Sequence, residues 1–181
     1  AQGAISSLTP FDKDQVQPAS LDRRLGERAW RVRASFLPRH RRVMERLPDV
    51  AMHQLDLGQG AVFERGCVYI AEVQERLALP KGVAARGNPK SSTGRVDVFV
   101  RLLTDHGAAF DDVAEGYTGP LYVEIAPQTF SVLARTGTRL NQLRLKVGDP
   151  PRLASRDVGV DLSTGMAGFR GRRHAGIIDL D

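Results

Sequence analysis

The sequence contains one cysteine and no long apolar run, and these absences exclude several classes of protein. The single cysteine, Cys67, cannot form an internal disulfide and is typical of a reducing compartment. No run of about 18 apolar residues could span a membrane, and no basic segment followed by an apolar one indicates a secretory signal. We therefore expect a cytoplasmic protein without a membrane partner, in which Cys67 is a buried core thiol.

The motifs of two large enzyme classes are also missing. A zinc deaminase needs His-x-Glu and a later Pro-Cys-x-x-Cys, which one cysteine and four scattered histidines cannot supply. No Gly-x-Ser-x-Gly elbow is present, although composition alone leaves a Ser-His-Asp hydrolase open. The sequence therefore predicts no catalytic zinc and no other metal ligand set.

Positive charge is in excess, but the pattern that indicates nucleic-acid binding is missing. The formal net charge of +5 favours an anionic ligand. The basic clusters at 39–42 and 170–174 are not interleaved with the aromatic side chains on which bases stack. We interpret both clusters as solvated loops, with interface or phosphate contacts as the alternative, and predict no nucleic-acid partner.

Glycine and proline are abundant, and they indicate an all-β fold. The 18 glycines and 10 prolines fall between short apolar runs, as they do where strands are joined by turns. A short surface helix or excursion loop is predicted from Pro38 to Pro48, and the chain breaks near 148–151. Strands are predicted at 20–25, 30–34, 61–63, 67–71, 96–103, 121–126, 130–134 and 140–147. Together, these predicted strands indicate an all-β barrel or distorted sandwich.

The polar segment 87–95 is the richest in groups that bind phosphate. It combines one lysine, one arginine, three hydroxyl side chains and two glycines. Such a segment can direct N–H groups, hydroxyls and cations at phosphate oxygens. It lacks the Gly-x4-Gly-Lys-Ser/Thr spacing of a Walker loop, and we expect it to lead directly into a strand rather than to open a helix. A solvated polar turn is the alternative.

A carboxylate in the strand 121–125 is the second candidate. Leu121, Val123 and Ile125 fall on one face of this strand, and Tyr122 and Glu124 fall on the other. A carboxylate within so apolar a strand is costly to bury unless it is paired. Glu124 is therefore either a buried candidate for a general base or an exposed side chain on an edge strand.

Five segments, taken in chain order, resemble motifs of the dCTP deaminase branch of the dUTPase-like family. The family motifs are a Gln-Pro-x-Ser-hydrophobic-Asp-x-Arg-Leu-Gly signature, a strand end, an Arg-Ser-Ser-x-x-Arg loop, a Gly-aromatic-x-Gly segment before a catalytic Glu, and a Gly-x-x-Ile-x-Gln-Leu turn. Each match is weak alone, but the combination is specific and covers about residues 15–147. The matching segments are 17–26, 77–80, 90–95, 116–119 with Glu124, and 137–143.

The resemblance implies a fold, an assembly and a reaction. The fold is a dUTPase-like β-clip barrel, a distorted jelly roll with a short helical or loop excursion, over residues 1–150. The assembly is a trimer with active sites between subunits. The reaction is hydrolysis of dCTP to dUTP and ammonia without a metal at the base, with Mg²⁺ bound through the triphosphate. The nucleotide partners to consider are dCTP, dUTP and, as an inhibitor, dTTP.

The family's functional residues carry over to matching positions of this sequence. The resemblance makes Glu124 the general base that activates water for attack at cytosine C4, while Ser91 and Arg95 position the water and stabilise the tetrahedral species. Asp111 would accept from the deoxyribose hydroxyl, and Tyr122 and Val123 would read the base by main chain. The nucleotide-binding residues implied are Lys90, Ser91, Ser92, Thr93, Gly94, Arg95, Asp111, Tyr122, Val123, Glu124 and Gln142.

Four departures from the family pattern bear on this assignment. Lys90 replaces the usual arginine, which loses bidentate phosphate contact and keeps the charge. The stretch before Asp111 is long, so Asp112 remains an alternative for the sugar. Arg23 stands where the signature has an apolar residue. The C-terminal family segment has no match in 152–181, and the variant loop resembles a longer subgroup with two tandem copies of the fold.

Three functions remain open at this point. Deamination of dCTP is the first, and dUTP pyrophosphatase activity, alone or combined with deamination, is the second. The third is a non-catalytic copy that binds nucleotide or supports assembly. We interpret residues 151–181 as a linker and the start of a second similar domain, independently of which function applies.

Overall fold

The computed structural model describes residues 3–148 and two later strands, β14 (Val158–Asp161) and β15 (Met166–Phe169), of which only the backbone is described. The chain divides into two compact units, Ala1–Val147 and Gly148–Asp181. In the second unit β14 and β15 pair antiparallel, with Val158 opposite Phe169. The predicted start of a second domain at 151–181 lies largely outside the described residues and stays a prediction.

The regular secondary structure of residues 3–148 is almost entirely β-strand. The helical elements are α1 (Val43–Arg46), a 3₁₀ turn (Leu47–Asp49) and α2 (Ser91–Arg95). The strands are β1 (Ile5–Ser7), β2 (Val16–Gln17), β3 (Ser20–Arg23), β4 (Leu25–Val32), β5 (Ala51–Asp56), β6 (Ala61–Phe63), β7 (Val68–Ala78), β8 (Val83–Pro89), β9 (Val98–Thr104), β10 (Asp112–Val113), β11 (Thr118–Pro127), β12 (Val132–Ala134) and β13 (Asn141–Val147).

Two antiparallel sheets form the body of this unit. One has six strands in the order β5-β4-β7-β11-β9, with β1 also paired to β7, and the other has five in the order β10-β8-β13-β3-β2. A small pair, β6 with β12, completes the described sheets. The prediction of an all-β fold with a short helical excursion is confirmed.

Both faces of the six-stranded sheet are covered. The larger core packs its inner face against the five-stranded sheet and includes Leu102, Val123 and Leu143. A smaller core lies on the outer face beneath the excursion of residues 33–50 and includes Trp30 and Tyr122. Strand β11 runs between β7 and β9, and residues 121–125 are buried because the two cores cover both of its faces.

Several boundaries differ from those predicted. The sequence does not predict β5, which is mostly exposed and polar, or β8, whose Gly87 and Pro89 favour a turn. Strand β7 extends to Ala78 because its polar residues alternate with buried ones. The prediction of a buried Cys67 is wrong: it is half-buried, and its Sγ lies 3.0 Å from Nη2 of Arg31.

A buried polar network ties the N-terminal segment to β7 and to Arg24, the residue between β3 and β4. Arg24 Nε lies 3.0 Å from Glu75 Oε1, and the two side chains are 5% and 0% exposed. Glu75 also accepts from the Gln15 side chain at 2.6 Å and from the Arg24 backbone N–H at 2.9 Å. Arg24 Nη1 donates to the Pro10 carbonyl at 2.8 Å. Both carboxylate oxygens of Glu75 therefore accept hydrogen bonds, as buried polar groups normally do.

Gly87 is required by the close approach of β8 to β9. A Cβ at this position would lie 2.8 Å from the Cβ of Leu102 and 3.1 Å from Oδ1 of Asp111. Because neither the sheet nor a Cβ atom can move cheaply, we expect Gly87→Ala to lower the free energy of unfolding by about 1–3 kcal/mol, measured by urea unfolding. Gly94→Ala is the matched control, since nothing lies within 4 Å of its added Cβ. Equal losses in the two variants would contradict this account.

Candidate nucleotide site

Glu124 is buried in the six-stranded sheet, on the strand next to the edge strand β9. It lies on β11 opposite Ile70 of β7 and Arg101 of β9, and its side chain is 4% exposed. Its Oε1 accepts hydrogen bonds from Nε of Arg101, at 3.1 Å, and from Nη2. Its Oε2 is buried without a hydrogen-bond partner among the residues that the structure describes. The exposed, edge-strand alternative is therefore wrong.

The two faces of β11 are occupied as the sequence predicts. Leu121, Val123 and Ile125 belong to the larger core, and Tyr122 belongs to the smaller one. Burial raises the pKa of the Tyr122 phenol above its ordinary value. The pairing of β11 with β7 is irregular between Pro120 and Tyr122. Glu124 therefore lies on the same face of β11 as the buried ring of Tyr122, and the pairing of β11 with β7 is interrupted just before Tyr122.

Arg101 is the functional candidate that the sequence reasoning missed. Besides its contacts to Glu124, its Nη2 donates to the Ser35 hydroxyl at 3.2 Å. Its guanidinium carbon lies 3.8 Å from the ring centroid of Phe110. A usable signal existed, because a lone cation in the apolar strand Val98–Thr104 matches a lone carboxylate in β11.

The polar segment forms one turn of helix, which overturns the prediction that it leads directly into a strand. The carbonyl of Lys90 accepts from the N–H groups of Thr93 and Gly94, at 3.0 and 3.1 Å. The buried hydroxyl of Thr93 donates to the Leu140 carbonyl at 3.0 Å and anchors the turn to the start of β13. Asp97 then turns the chain into β9 with a φ of 53°. The missing Walker spacing still excludes a Walker loop.

The structure does not bring the three predicted catalytic residues together within one chain. Ser91 and Arg95 are exposed on α2, whereas Glu124 is buried in β11. Within residues 3–148, neither Ser91 nor Arg95 makes a hydrogen bond to Glu124, whose Oε1 is bound by Arg101. Ser92 and Gly94 are exposed with them. The groups suited to bind phosphate thus form a surface separate from the carboxylate.

Lys90 and Gln142 are both neighbours of Asp22 in the five-stranded sheet. The ammonium of Lys90 forms an ion pair with Oδ2 of Asp22, which is nearly buried. Asp22 lies opposite Gln142 across the β3–β13 pair, and Asn88 lies opposite Gln142 on the other side. The Ser20 hydroxyl donates to Oε1 of Gln142 at 3.0 Å. Two predicted nucleotide-binding residues therefore share one polar row.

The two candidates for the sugar contact differ in environment. Asp111 is half-buried at a φ of 61°, and its Oδ1 accepts from the Leu102 N–H at 2.8 Å. Burial raises the pKa of the Asp111 carboxyl above its ordinary value. Asp112 is exposed in β10, opposite Arg86. The choice between them stays a prediction.

Arg23, which departs from the family signature, lies in the core beside two other polar groups. Burial lowers the pKa of its guanidinium to about 9, and the charge of Asp111 opposes that shift. Arg23 lies opposite Asn141 on β13. Nε and Nη1 of Arg23 and both amide atoms of Asn141 are buried and make no hydrogen bond to described residues.

The Gly-aromatic-x-Gly segment has a clear local role. Tyr117 donates to the Pro120 carbonyl at 2.6 Å and accepts from the Asp105 N–H at 3.1 Å. A Cβ on Gly119 would lie 2.7 Å from the Tyr117 hydroxyl oxygen, so the motif needs glycine there. Burial raises the pKa of Tyr117 to about 12. The segment therefore holds the hairpin that leads into β11.

The described residues contain neither a candidate metal site nor a candidate membrane span. No group of three or more His, Cys, Asp or Glu side chains in that part of the chain could hold a metal ion. None of the helices there has the length and apolarity needed to cross a membrane.

Comparison with known proteins identifies the family. Residues 1–149 match the family described as the 2'-deoxycytidine 5'-triphosphate deaminase (DCD) N-terminal domain. The chain belongs to this family. The fold and the motif order above agree with that assignment.

Two bacterial relatives of this DCD domain have the same name. It is 32% identical over 143 residues to a protein of Beutenbergia cavernae named dCTP deaminase, dUMP-forming, covering 76% of this chain and 69% of that protein. A Thermobifida fusca protein of the same name is 30% identical over 138 residues, covering 75% and 67%.

Solved structures confirm the fold of the DCD domain. A crystal structure of 2'-deoxycytidine 5'-triphosphate deaminase from Agrobacterium tumefaciens is similar with a TM-score of 0.78 and 53% identity. The match covers 80% of this chain but only 44% of that one, so the chain spans less than half of the solved protein. A dUTPase of Staphylococcus bacteriophage 80alpha, at 11% identity, has a TM-score of 0.50 over 83% of this chain and 87% of its own, which shows the fold alone.

Proposed function

We propose that this DCD domain deaminates dCTP to dUTP and ammonia by hydrolysis at cytosine C4, with no metal acting at the base. The observation that carries the proposal is the state of Glu124. One carboxylate oxygen is held by Arg101, and the other is buried and without a partner among the described residues. A buried carboxylate with one oxygen available is a suitable general base for a water molecule. The dCTP deaminase names of its relatives support the substrate.

Glu124 would carry each proton that moves in this reaction. Glu124 takes one proton from water as the water oxygen bonds to C4, and it passes that proton to ring nitrogen N3. The tetrahedral species loses its hydroxyl proton through the same carboxylate to the amino group. The C4–N4 bond then breaks, and ammonia leaves. Water has supplied the new carbonyl oxygen, the N3 proton and the third hydrogen of ammonia.

We propose that each active site is shared between subunits of a trimer. Ser91 and Arg95 are exposed on α2 and make no hydrogen bond to Glu124 within the described part of the chain. A neighbouring subunit could present its α2 to this carboxylate, as closed cyclic assemblies allow. Arg95 would stabilise the oxyanion, and Ser91 would orient the water.

The phosphates would lie against the polar row and α2, arriving as the Mg²⁺ complex of the triphosphate. Lys90, Ser91 and Ser92 offer one cation and two hydroxyls at the start of the helical turn. Lys90 is paired with Asp22, so phosphate would compete with that carboxylate for the ammonium. Gln142 would add a further polar contact from this row, and Asp111 or Asp112 would accept from the sugar.

A second candidate is a bifunctional enzyme that also releases pyrophosphate. The names of the Beutenbergia and Thermobifida relatives include "dUMP-forming". Formation of dUMP from dCTP requires both loss of ammonia and cleavage between the α- and β-phosphates. The same phosphate-binding residues would serve both steps.

Ammonia and pyrophosphate should be measured together, using the full-length protein with dCTP and Mg²⁺. We expect ammonia to be released with dUTP as the accumulating product. One pyrophosphate per ammonia would favour the bifunctional enzyme, and pyrophosphate from dUTP without ammonia from dCTP would favour a pyrophosphatase. Binding of dCTP without any turnover, in an intact oligomer, would overturn the proposal in favour of a non-catalytic copy.

A further inference from the structure

We propose that Arg101 is a positioning residue that holds the Glu124 carboxylate in the orientation needed to activate water. This inference rests on the proposed function. The geometry behind it is asymmetric: Nε and Nη2 of Arg101 both bind Oε1 of Glu124, and neither binds Oε2. A fork-to-fork pair would have engaged both oxygens.

The asymmetry assigns different tasks to the two oxygens. Oε1 already accepts two N–H groups from one guanidinium, which is about the capacity of its lone pairs, so it cannot readily accept from water as well. Oε2 is buried, has no partner among the described residues, and keeps its lone pairs for a ligand. A polar atom left unpaired in the interior is costly unless the functional state satisfies it. The water to be activated is the partner that this oxygen lacks.

Arg101 can act in this way because two loops restrain it from outside the sheet. Phe110, in the loop after β9, stacks on its guanidinium with 3.8 Å between the guanidinium carbon and the ring centroid. Ser35, in the excursion after β4, accepts from its Nη2 at 3.2 Å. Arg101 itself is 41% exposed, and such an arginine is normally mobile. These contacts limit the orientations open to the guanidinium and therefore to Oε1.

The two restraining loops are themselves joined. The carboxylate of Asp105 accepts from the Val43 N–H at 2.8 Å, and the His106 N–H donates to the Arg41 carbonyl at 3.0 Å. The Arg39 N–H donates to the Gly107 carbonyl at 3.0 Å. The excursion and the loop after β9 thus form one support around Arg101.

The test compares kcat and KM for dCTP in Arg101→Met, Arg101→Lys and the wild type, all at full length. We expect Arg101→Met to lower kcat about ten- to a hundredfold, the size of effect seen when the orienting partner of a metal ligand is removed. KM should stay within about threefold, because Arg101 is assigned no contact with substrate. Arg101→Lys should recover part of kcat, since it keeps the charge but cannot fill Oε1 with two N–H groups. Arg28→Met is the matched control: it removes the Arg28–Glu72 pair from the same sheet and should leave kcat unchanged.

Phe110→Leu keeps the Arg101–Glu124 ion pair, and this variant still tests the proposal if Arg101→Met does not fold. We expect it to lower kcat as well, because the guanidinium loses its stacking partner. An unchanged kcat in both Arg101→Lys and Phe110→Leu would overturn the proposal. A raised KM at constant kcat would overturn it by showing that Arg101 binds nucleotide. Absence of ammonia release by the wild type would overturn the proposed function together with this one, whereas active enzyme with a normal Arg101→Met variant would overturn this one alone.

Discussion

Glu124→Gln should abolish ammonia release from dCTP while leaving nucleotide binding intact. Glutamine keeps the size of the side chain and an oxygen that can accept from Arg101, but it cannot take a proton from water. Loss of general acid–base catalysis typically costs about 10²–10⁴-fold in rate, and we expect kcat to fall by at least the upper figure. The measurement pairs an ammonia assay with calorimetric titration of dCTP. Retained turnover would show that another group is the base.

The same variant tests whether the active site is shared between subunits. Subunits that carry Glu124→Gln lack the base, and subunits that carry Arg95→Ala lack the oxyanion contact, so each pure oligomer should be inactive. If the site combines Glu124 of one subunit with α2 of the next, unfolding and refolding the two together should restore roughly a quarter of wild-type activity by random assortment. No recovery in a mixed oligomer of correct mass would place both groups in one chain.

How much of this site is predictable depends on the kind of contact involved. The alternation in 121–125 was sufficient to assign Tyr122 and Glu124 to one face, because side-chain direction along a strand is a local property. The pairing of Glu124 with Arg101 is not local. It follows from the register of β9 on β11, which the hairpin between Thr104 and Thr118 sets.

The helical turn at α2 shows another limit of the sequence. Its serines and Gly94 favour a turn by composition, and the alternation that begins after Arg95 favours a strand. The helix forms because Thr93 finds the Leu140 carbonyl, a residue 47 positions away. This long-range contact overrides the local preference for a turn that leads into a strand, and the residues of segment 87–95 alone do not predict it.

In the sequence, the only sign of the buried polar group around Arg23 is a charged residue at an apolar position of the family signature. A charged residue at an apolar signature position predicts either exposure or a buried partner. The structure places it in the core opposite Asn141, where burial lowers its pKa and the charge of Asp111 opposes that shift more than any other charge does. The cross-strand pairing of β3 with β13 creates this arrangement, and it joins residues that are 118 positions apart.

Glu75→Gln should destabilise the fold more than any other single change of charge considered above. Removing one partner of a buried ion pair leaves the other as an uncompensated buried charge and typically costs about 3–5 kcal/mol. Here Arg24 would lose its counter-charge, and the new amide N–H₂ would face donors from both Arg24 and Gln15. The free energy of unfolding should therefore fall by about this amount, measured by urea denaturation.

Glu72→Gln is the matched control, because Glu72 lies on the same strand, three residues earlier, and also pairs with an arginine. Its partner Arg28 is half exposed, and surface pairs of this kind contribute about 0–1 kcal/mol. A loss at Glu75 no larger than that at Glu72 would contradict the assigned role of the buried pair. A large loss at Glu75 alone would show that the Arg24–Glu75–Gln15 network holds the N-terminal segment on β7. Because β7 is the neighbour of β11, the same network would then also stabilise the frame around Glu124.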